Sequence, residues 1–266
     1  MAVSQIVEYL GGIYKSRYFW WNLSLADLRF KYRRSFLGIL WSILQPLAMT
    51  ALLSIVMGRF FSMPMRYLAP YIFIGMIVWE LLLTSVMNGC NALVNAESYI
   101  KLFKHPMAIY PLRSSITVFI NFLLAGVGVL VWSIIAMPQN FCGIAWLALV
   151  PASVLLFLLC WCNGIICAFF SLRFSDLPQL IIIAMQMLWY MSPVFFPLEL
   201  FRKSRLDFLL QYNPVYHILE LFRQPLLHGM FPDVSNWLWS LGWVVFMTLC
   251  AGLSVSILEK KSIYYL

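Results

Sequence analysis

The chain has 266 residues, of which 63% are hydrophobic and 11% charged, and it carries a formal net charge of +8. That balance excludes a soluble domain and, with it, most soluble enzymes. The basic excess does not point to nucleic acid, because Lys and Arg beside membrane spans report orientation and no DNA- or RNA-binding pattern accompanies them.

The first 36 residues read as a cytoplasmic tail that ends in an interfacial helix over Ser24–Arg34. Ser24 followed by Asp27 predicts an N-terminal cap. At about 100° per residue, Leu25, Leu28, Tyr32 and Phe36 share one stripe. Asp27, Lys31 and Arg34 lie opposite, and Arg29 and Arg33 flank the stripe. Such a helix lies flat at the headgroup boundary. The first strongly apolar run begins only near Leu37, so a cleaved signal peptide is not expected.

A helical crossing needs about 20 mostly apolar residues. Spans are predicted over 37–58, 70–93, 107–136, 144–171, 178–196 and 236–257. The stretch from Ser114 to Leu172 has no Asp, Glu, Lys or Arg and is long enough for two crossings and a turn. The runs are continuous rather than alternating, so the spanning elements are helices and not barrel strands. The fold class is an all-α integral membrane protein with one domain over 1–266. Residues 37–196 hold five spans, 197–235 an external segment, 236–257 the sixth span and 258–266 a second tail. Twelve of the 18 Lys and Arg fall on the side of the two termini, which places both termini in the cytoplasm.

Between the second and third spans, Asn95 can start a short helix and Pro106 can begin the next span. A simple turn would not need Tyr99, Ile100, Leu102 and Phe103. They suggest either a docking knob for a cytoplasmic partner or an interfacial loop touching lipid. The segment from Pro197 to Asp233 reads as two short amphipathic helices broken at Asn213-Pro214, an external or re-entrant hairpin.

Catalytic patterns are absent. There is no GxxxxGK[ST] phosphate loop, no HExxH and no GxSxG. His105, His217 and His228 are scattered, and no metal site is expected. The six cysteines, with no CxxC pair, read mostly as small thiols between helices, Cys142 being the one placed near a span end. Glu80 is the single acid inside a predicted span, a functional candidate by default but more simply an interhelical hydrogen bond. Most of the 11 Trp suit interfacial belts, whereas Trp41, Trp161 and Trp189 lie too deep for that. Rings in a wet pathway suit sugars, whose C–H faces pack on them.

Residues 32–47 carry Tyr32, Arg33, Ser35, Leu37, Gly38, Trp41, Gln45 and Pro46. This pattern resembles the start of the permease subunit in bacterial ATP-binding-cassette exporters of surface polysaccharides. Tyr190-Met191-Ser192-Pro193-Val194 and Tyr212-Asn213-Pro214, followed by Phe222-Arg223, add to the likeness, which covers nearly the whole chain in order. It is to Wzm-type O-antigen permeases, with capsule and teichoic-acid permeases as near relatives. The resemblance implies a homodimer of six-span subunits bound to two copies of a separate ATPase. ATP and Mg would be bound by that partner, and this chain would hold no cofactor and be no enzyme. Ser24–Arg34 would be the interface helix, with Arg29, Lys31, Arg33 and Arg34 attracting a lipid pyrophosphate or pairing with anionic membrane lipids. Glu97, Ser98, Tyr99, Ile100, Lys101, Leu102 and Phe103 would form the coupling helix. Trp41, Trp161, Trp189, Tyr190 and Ser192 are pathway candidates, and Phe201, Phe208, Tyr212, Asn213 and Tyr216 are gate candidates. The implied substrate is an undecaprenyl-linked O-antigen polysaccharide, the chain serving lipopolysaccharide biosynthesis. Capsule or teichoic-acid export, and drug or lipid efflux by the same fold, are the alternatives. A membrane enzyme would need clustered Asp, His or Lys near one interface, and an ion-coupled carrier more than Glu80.

The topology has a direct test. In a cysteine-free background, Tyr99→Cys and Ser175→Cys should be labelled from the cytoplasmic side, and Met65→Cys and Leu206→Cys from the outside. Labelling of position 99 from outside would overturn the orientation.

Overall fold

The computed structural model describes residues 3–33, 35–61, 63–136, 143–203 and 207–262. All the regular elements among them are helical. Two N-terminal helices, α1 (Val3–Lys15) and α2 (Arg17–Tyr32), precede α3 (Trp41–Phe61) and α4 (Met65–Ala92). A short α5 (Glu97–Leu102) leads to α6 (Ile109–Ala136), α7 (Leu149–Arg173) and α8 (Leu177–Met191). Three short helices follow, α9 (Leu198–Lys203), α10 (Asp207–Tyr212) and α11 (Pro214–Arg223), and then the long α12 (Val234–Ser262).

Among the described residues, five segments are long and apolar enough to cross a membrane: Gly38–Phe61, Met65–Ala92, Ile109–Ile135, Ala145–Arg173 and Val234–Ser262. These are spans of a multi-pass membrane protein. The predicted fifth span over 178–196 differs. Its helix, α8, has 15 residues, or about 22 Å, short of the roughly 30 Å hydrocarbon core. The helix stops at Met191, Ser192 turns to an extended backbone, and Pro193 follows. The remaining predicted residues continue as a buried, non-helical segment.

The bundle is built around α4. Of its most apolar stretch 67% is buried, against 11% for Gly38–Phe61, so α4 is central and α3 lies on the rim. Helices α3, α6 and α7 pack on α4, and α12 packs on α7. The α4–α7 contact is close because both helices present glycine: a Cβ on Gly89 would lie 2.6 Å from the Gly164 Cα. Without a hydrophobic drive between helices in lipid, such small-residue contacts let backbones approach and gain dispersion. One apolar cluster, with Phe73, Leu156 and Leu219 fully buried, fills the end near the short helices α9–α11, here the hairpin end. A second, around Leu93, Ile109 and Phe169, fills the end that carries α1, α2 and α5.

The N-terminal region departs from its sequence reading. Ser24 is not a cap. It sits mid-helix and fully buried, its hydroxyl directed at the carbonyls of Trp20 (2.8 Å) and Arg113 (3.2 Å). Asp27 takes a two-pronged ion pair from Arg113 on α6, and the Tyr32 hydroxyl donates to Asn121 Oδ1 at 2.9 Å. The polar residues 24, 27 and 32 thus form a seam along α6. Of the predicted apolar stripe, Leu28 is buried, whereas Phe36 lies beyond the end of α2 and is fully exposed. Helix α2 is docked on the bundle through Ser24, Leu28, the half-buried Asp27–Arg113 ion pair and Tyr32, whose polar groups find partners on α6 that lipid cannot supply. Arg34 lies outside the described residues, as do Cys142 and 204–206 of the predicted outer segment.

Helix α1 was not anticipated. The Tyr9 hydroxyl donates to Glu259 Oε1 (3.1 Å) and accepts from the Ala108 N–H (3.2 Å), and Glu259 also accepts from the Met107 N–H at 2.8 Å. Burial, with the Glu259 carboxylate beside it, holds Tyr9 far above the usual phenol range. Through these hydrogen bonds the start of α6 is tied to α1 and to the end of α12.

Gly89→Ala should force α4 and α7 apart and destabilise the protein by about 1–3 kcal/mol, whereas Gly126→Ala, with open space at its Cβ, should not. Thermal unfolding of both variants in detergent micelles reads the difference, and equal melting would show that the glycine contact does not matter.

Candidate functional site

Two places gather the residues singled out from the sequence. The first is the hairpin end. Non-helical backbone at membrane depth persists only where protein or water satisfies it, and the segment after α8 is satisfied by protein. Ser192 donates through its hydroxyl to Leu188 O (2.6 Å), and the Asn213 amide donates to Ser192 Oγ (2.8 Å) and Met191 O (3.1 Å). The Asn213 carbonyl oxygen meanwhile accepts from the Val215 N–H at 2.9 Å. Asn213 is therefore the cap of α11, with Pro214 in the first turn where its missing N–H costs nothing. The Tyr71 hydroxyl is directed at the carbonyls of Pro193 (3.2 Å) and Phe196 (3.0 Å).

Arg223 completes this node. It is 1% exposed. Its Nη2 donates to Val194 O (2.8 Å) and Tyr71 O (3.2 Å), and its guanidinium lies 3.5 Å from the centre of the Tyr71 ring. Nε and Nη1 have no hydrogen-bond partner among the described residues. Burying such a charge is costly, and the ring face and two carbonyls offset part of that cost. Gly75 makes room: a Cβ there would lie 2.1 Å from Val194 O. The two later motifs of the resemblance, Ser192–Val194 and Asn213–Arg223, thus meet at one point.

The second place is a cleft of about 140 Å³ between α2, α3, α4 and α6. Trp41, Gln45, Glu80, Thr84, Asn121 and Tyr32 are among its lining residues. Glu80 is exposed and accepts from Thr84 Oγ1 at 3.1 Å, so its bond runs within α4 and not between helices. Pro46 lies inside α3 and has no N–H for the Ser42 carbonyl one turn earlier. Gly38, with φ of +51°, turns the chain into α3, a left-handed conformation that favours glycine. The first motif therefore builds one wall of a polar, ring-edged cleft in an otherwise apolar bundle. One of its walls is the thinly covered α3, of whose most apolar stretch 11% is buried.

The pathway candidates separate. Trp41 and Tyr190 are exposed. Trp189 packs on Trp79 at 5.0 Å, Ser192 is buried in the hairpin node, and Trp161 donates to Ala108 O at 3.2 Å inside the second core. Among the gate candidates, Phe208 and Tyr212 are exposed, Phe201 and Asn213 are buried, and Tyr216 is half-buried beside His217. His217 is held by Asn236 (2.8 Å) and Gln211 O (2.9 Å) and stacks on Trp239, fastening α11 to α12. Arg29, Lys31 and Arg33 are exposed on α2.

Helix α5 spans the residues predicted for coupling, and its burial is uneven. Tyr99 and Ile100 pack on the second core, and Phe19 of α2 contacts the rings of Tyr99 and Phe103 at 6.0 Å. Leu102 and Phe103 are 76% and 50% exposed, and Glu97, Ser98 and Lys101 face outward to different degrees, Lys101 pairing with Glu97. The exposed apolar tip is therefore Leu102–Phe103. Sequence reasoning missed Tyr71, Gly75 and the central role of Arg223.

Arg223→Met should leave two buried carbonyls without their donor and cost about 1–3 kcal/mol, and Tyr71→Phe about 1 kcal/mol. Melting temperature and protease resistance of the hairpin check this. Wild-type stability in Arg223→Met would mean that the guanidinium does not hold the segment.

No protein-family model matches the chain. It is 30% identical over 108 residues to the O-antigen export system permease protein RfbA of Myxococcus xanthus, a match covering 39% of this chain and 40% of that relative's length. It is 21% identical over 192 residues to the protein of the same name from Klebsiella pneumoniae, covering 70% of this chain and 71% of that relative. The similarity is to permeases of O-antigen export systems.

Proposed function

We propose that the chain is the transmembrane subunit of an ATP-driven exporter that moves an undecaprenyl-linked O-antigen polysaccharide across the bacterial inner membrane. The observation that carries this reading is the ring-edged cleft with polar lining residues beside the bare α3, built by the motif around Trp41 and Gln45. Sugar hydroxyls would meet Gln45, Glu80, Thr84 and Asn121, and a C–H face would meet the Trp41 ring. A second copy of the chain would cover the bare helix and enclose the route between the two clefts. That both relatives are O-antigen export permeases supports the same substrate class.

In this reading α8 and the segment after it complete a sixth crossing, the hairpin is the outer gate, and both termini are cytoplasmic. The α5 tip, Leu102 and Phe103, would seat in one of two copies of a separate ATPase, which would bind ATP and Mg. Exposed Arg29, Lys31 and Arg33 would attract the lipid pyrophosphate at the same end.

Anchors of this kind carry most of an interface's binding energy. Leu102→Ala with Phe103→Ala should lower ATPase co-purification by at least about tenfold and reduce surface polymer. Gln45→Leu with Glu80→Gln should reduce surface polymer while leaving co-purification intact. Normal surface polymer in both double variants, at matched expression, would overturn the reading.

A further inference from the structure

On the side away from the cleft, α7 and α12 leave a groove of about 690 Å³ at the end of the bundle that carries α5. Its walls are two helical stripes. On α7, Ile166, Phe169, Phe170 and Arg173 stand at positions i, i+3, i+4 and i+7, one face of the helix. On α12, Cys250, Leu253, Ser254, Ile257 and Leu258 do the same, and the next residue on that stripe is Lys261. The floor offers no free polar group: Ser254, the one hydroxyl among the lining residues, donates back to Cys250 O at 2.8 Å.

Apolar character and charge are arranged along the groove. Phe170, Leu253 and Ile257 are exposed along its length. Arg173 closes one wall and Lys261 extends the other, both exposed and both at the same end. Arg173 lies against the Phe174 ring and pairs with no carboxylate among the described residues. The nearest acid on α12, Glu259, is turned away and engaged by Met107 and Tyr9. A long apolar trough in spanning helices that ends in two cations matches a molecule with a long tail and an anionic head. Basic pockets between spans bind lipid head groups by this chemistry.

We propose that this groove is a binding site for an anionic diacyl phospholipid, with an acyl chain along the α7–α12 trough and the phosphate between Arg173 and Lys261. The site is independent of the export reading, since it uses neither the cleft nor α5. It would hold a resident lipid at the end of the bundle where α12 is also tied to α1 and to the start of α6.

Native mass spectrometry of the detergent-solubilised chain tests this by titration with palmitoyl-oleoyl phosphatidylglycerol and with phosphatidylcholine of the same chains. Each cation should favour the anionic lipid about fivefold, so the wild type should prefer it by about 25-fold. Arg173→Gln with Lys261→Gln should bring the preference to within about twofold, and Arg173→Lys should keep it. Leu253→Trp should weaken both lipids alike by filling the trough. Equal affinity of the wild type for the two lipids, or an undiminished preference in the double variant, would overturn the site. So would displacement of the lipid by millimolar glycerol 3-phosphate, which would place all recognition in the phosphate, or by a second copy of the chain seated in the groove.

Discussion

Inside a bilayer every backbone N–H and C=O needs a partner from the protein itself, and this constraint explains the polar residues gathered around the break after α8. Five helices meet it with their own ladders. Where α8 stops, side chains supply the partners: the Asn213 amide serves Met191 O, Tyr71 serves Pro193 and Phe196, and Arg223 serves Val194. The cost is a fully buried guanidinium with two nitrogens unmatched among the described residues. A bare glycine at position 75 is the geometric condition for it. The cap of α11, the break before it and the approach of α4 are one arrangement.

The same logic sorts the two flanks of the bundle. Helices α4, α6, α7 and α12 pack together, whereas α3 and α8 are thinly covered. The polar cleft lies beside the thin flank and the apolar trough on the other. A polar surface in a membrane protein belongs with water or a ligand, and an apolar trough with lipid tails. The distribution of side chains thus separates a route through the protein from a surface that meets the membrane.

Much of this was legible beforehand, and the failures have physical causes. Continuous apolar runs marked the five long helices because hydrocarbon demands length and low charge. The end of α8 was overrun because Ser192, Pro193 and Val194 are apolar or small enough to read as span, although Pro193 cannot continue the ladder. Ser24 and Asp27 looked like a cap on a surface helix, but local pattern does not reveal that Arg113 waits 86 residues away. Tyr99 and Ile100 looked like docking residues because exposure cannot be read from composition; Phe19 and the second core cover them. Asn213 and Arg223 were named from a resemblance, and their part in satisfying the broken helix became clear only with their partners in place.

The polar node also dictates an order of assembly. Tyr71 stands 152 residues before Arg223, and Asn213 stands 21 after Ser192. A ribosome delivers the carbonyls of residues 192–194 before the guanidinium that donates to one of them. Until α11 emerges, that segment has no donor from its own future partner and must stay hydrated at the membrane surface. Closing so long a loop is a late, non-local event. The hairpin therefore closes only once α11 has been made, and a nascent chain halted between α8 and α11 would leave the carbonyls of Met191 and Val194 without the donors that Asn213 and Arg223 supply.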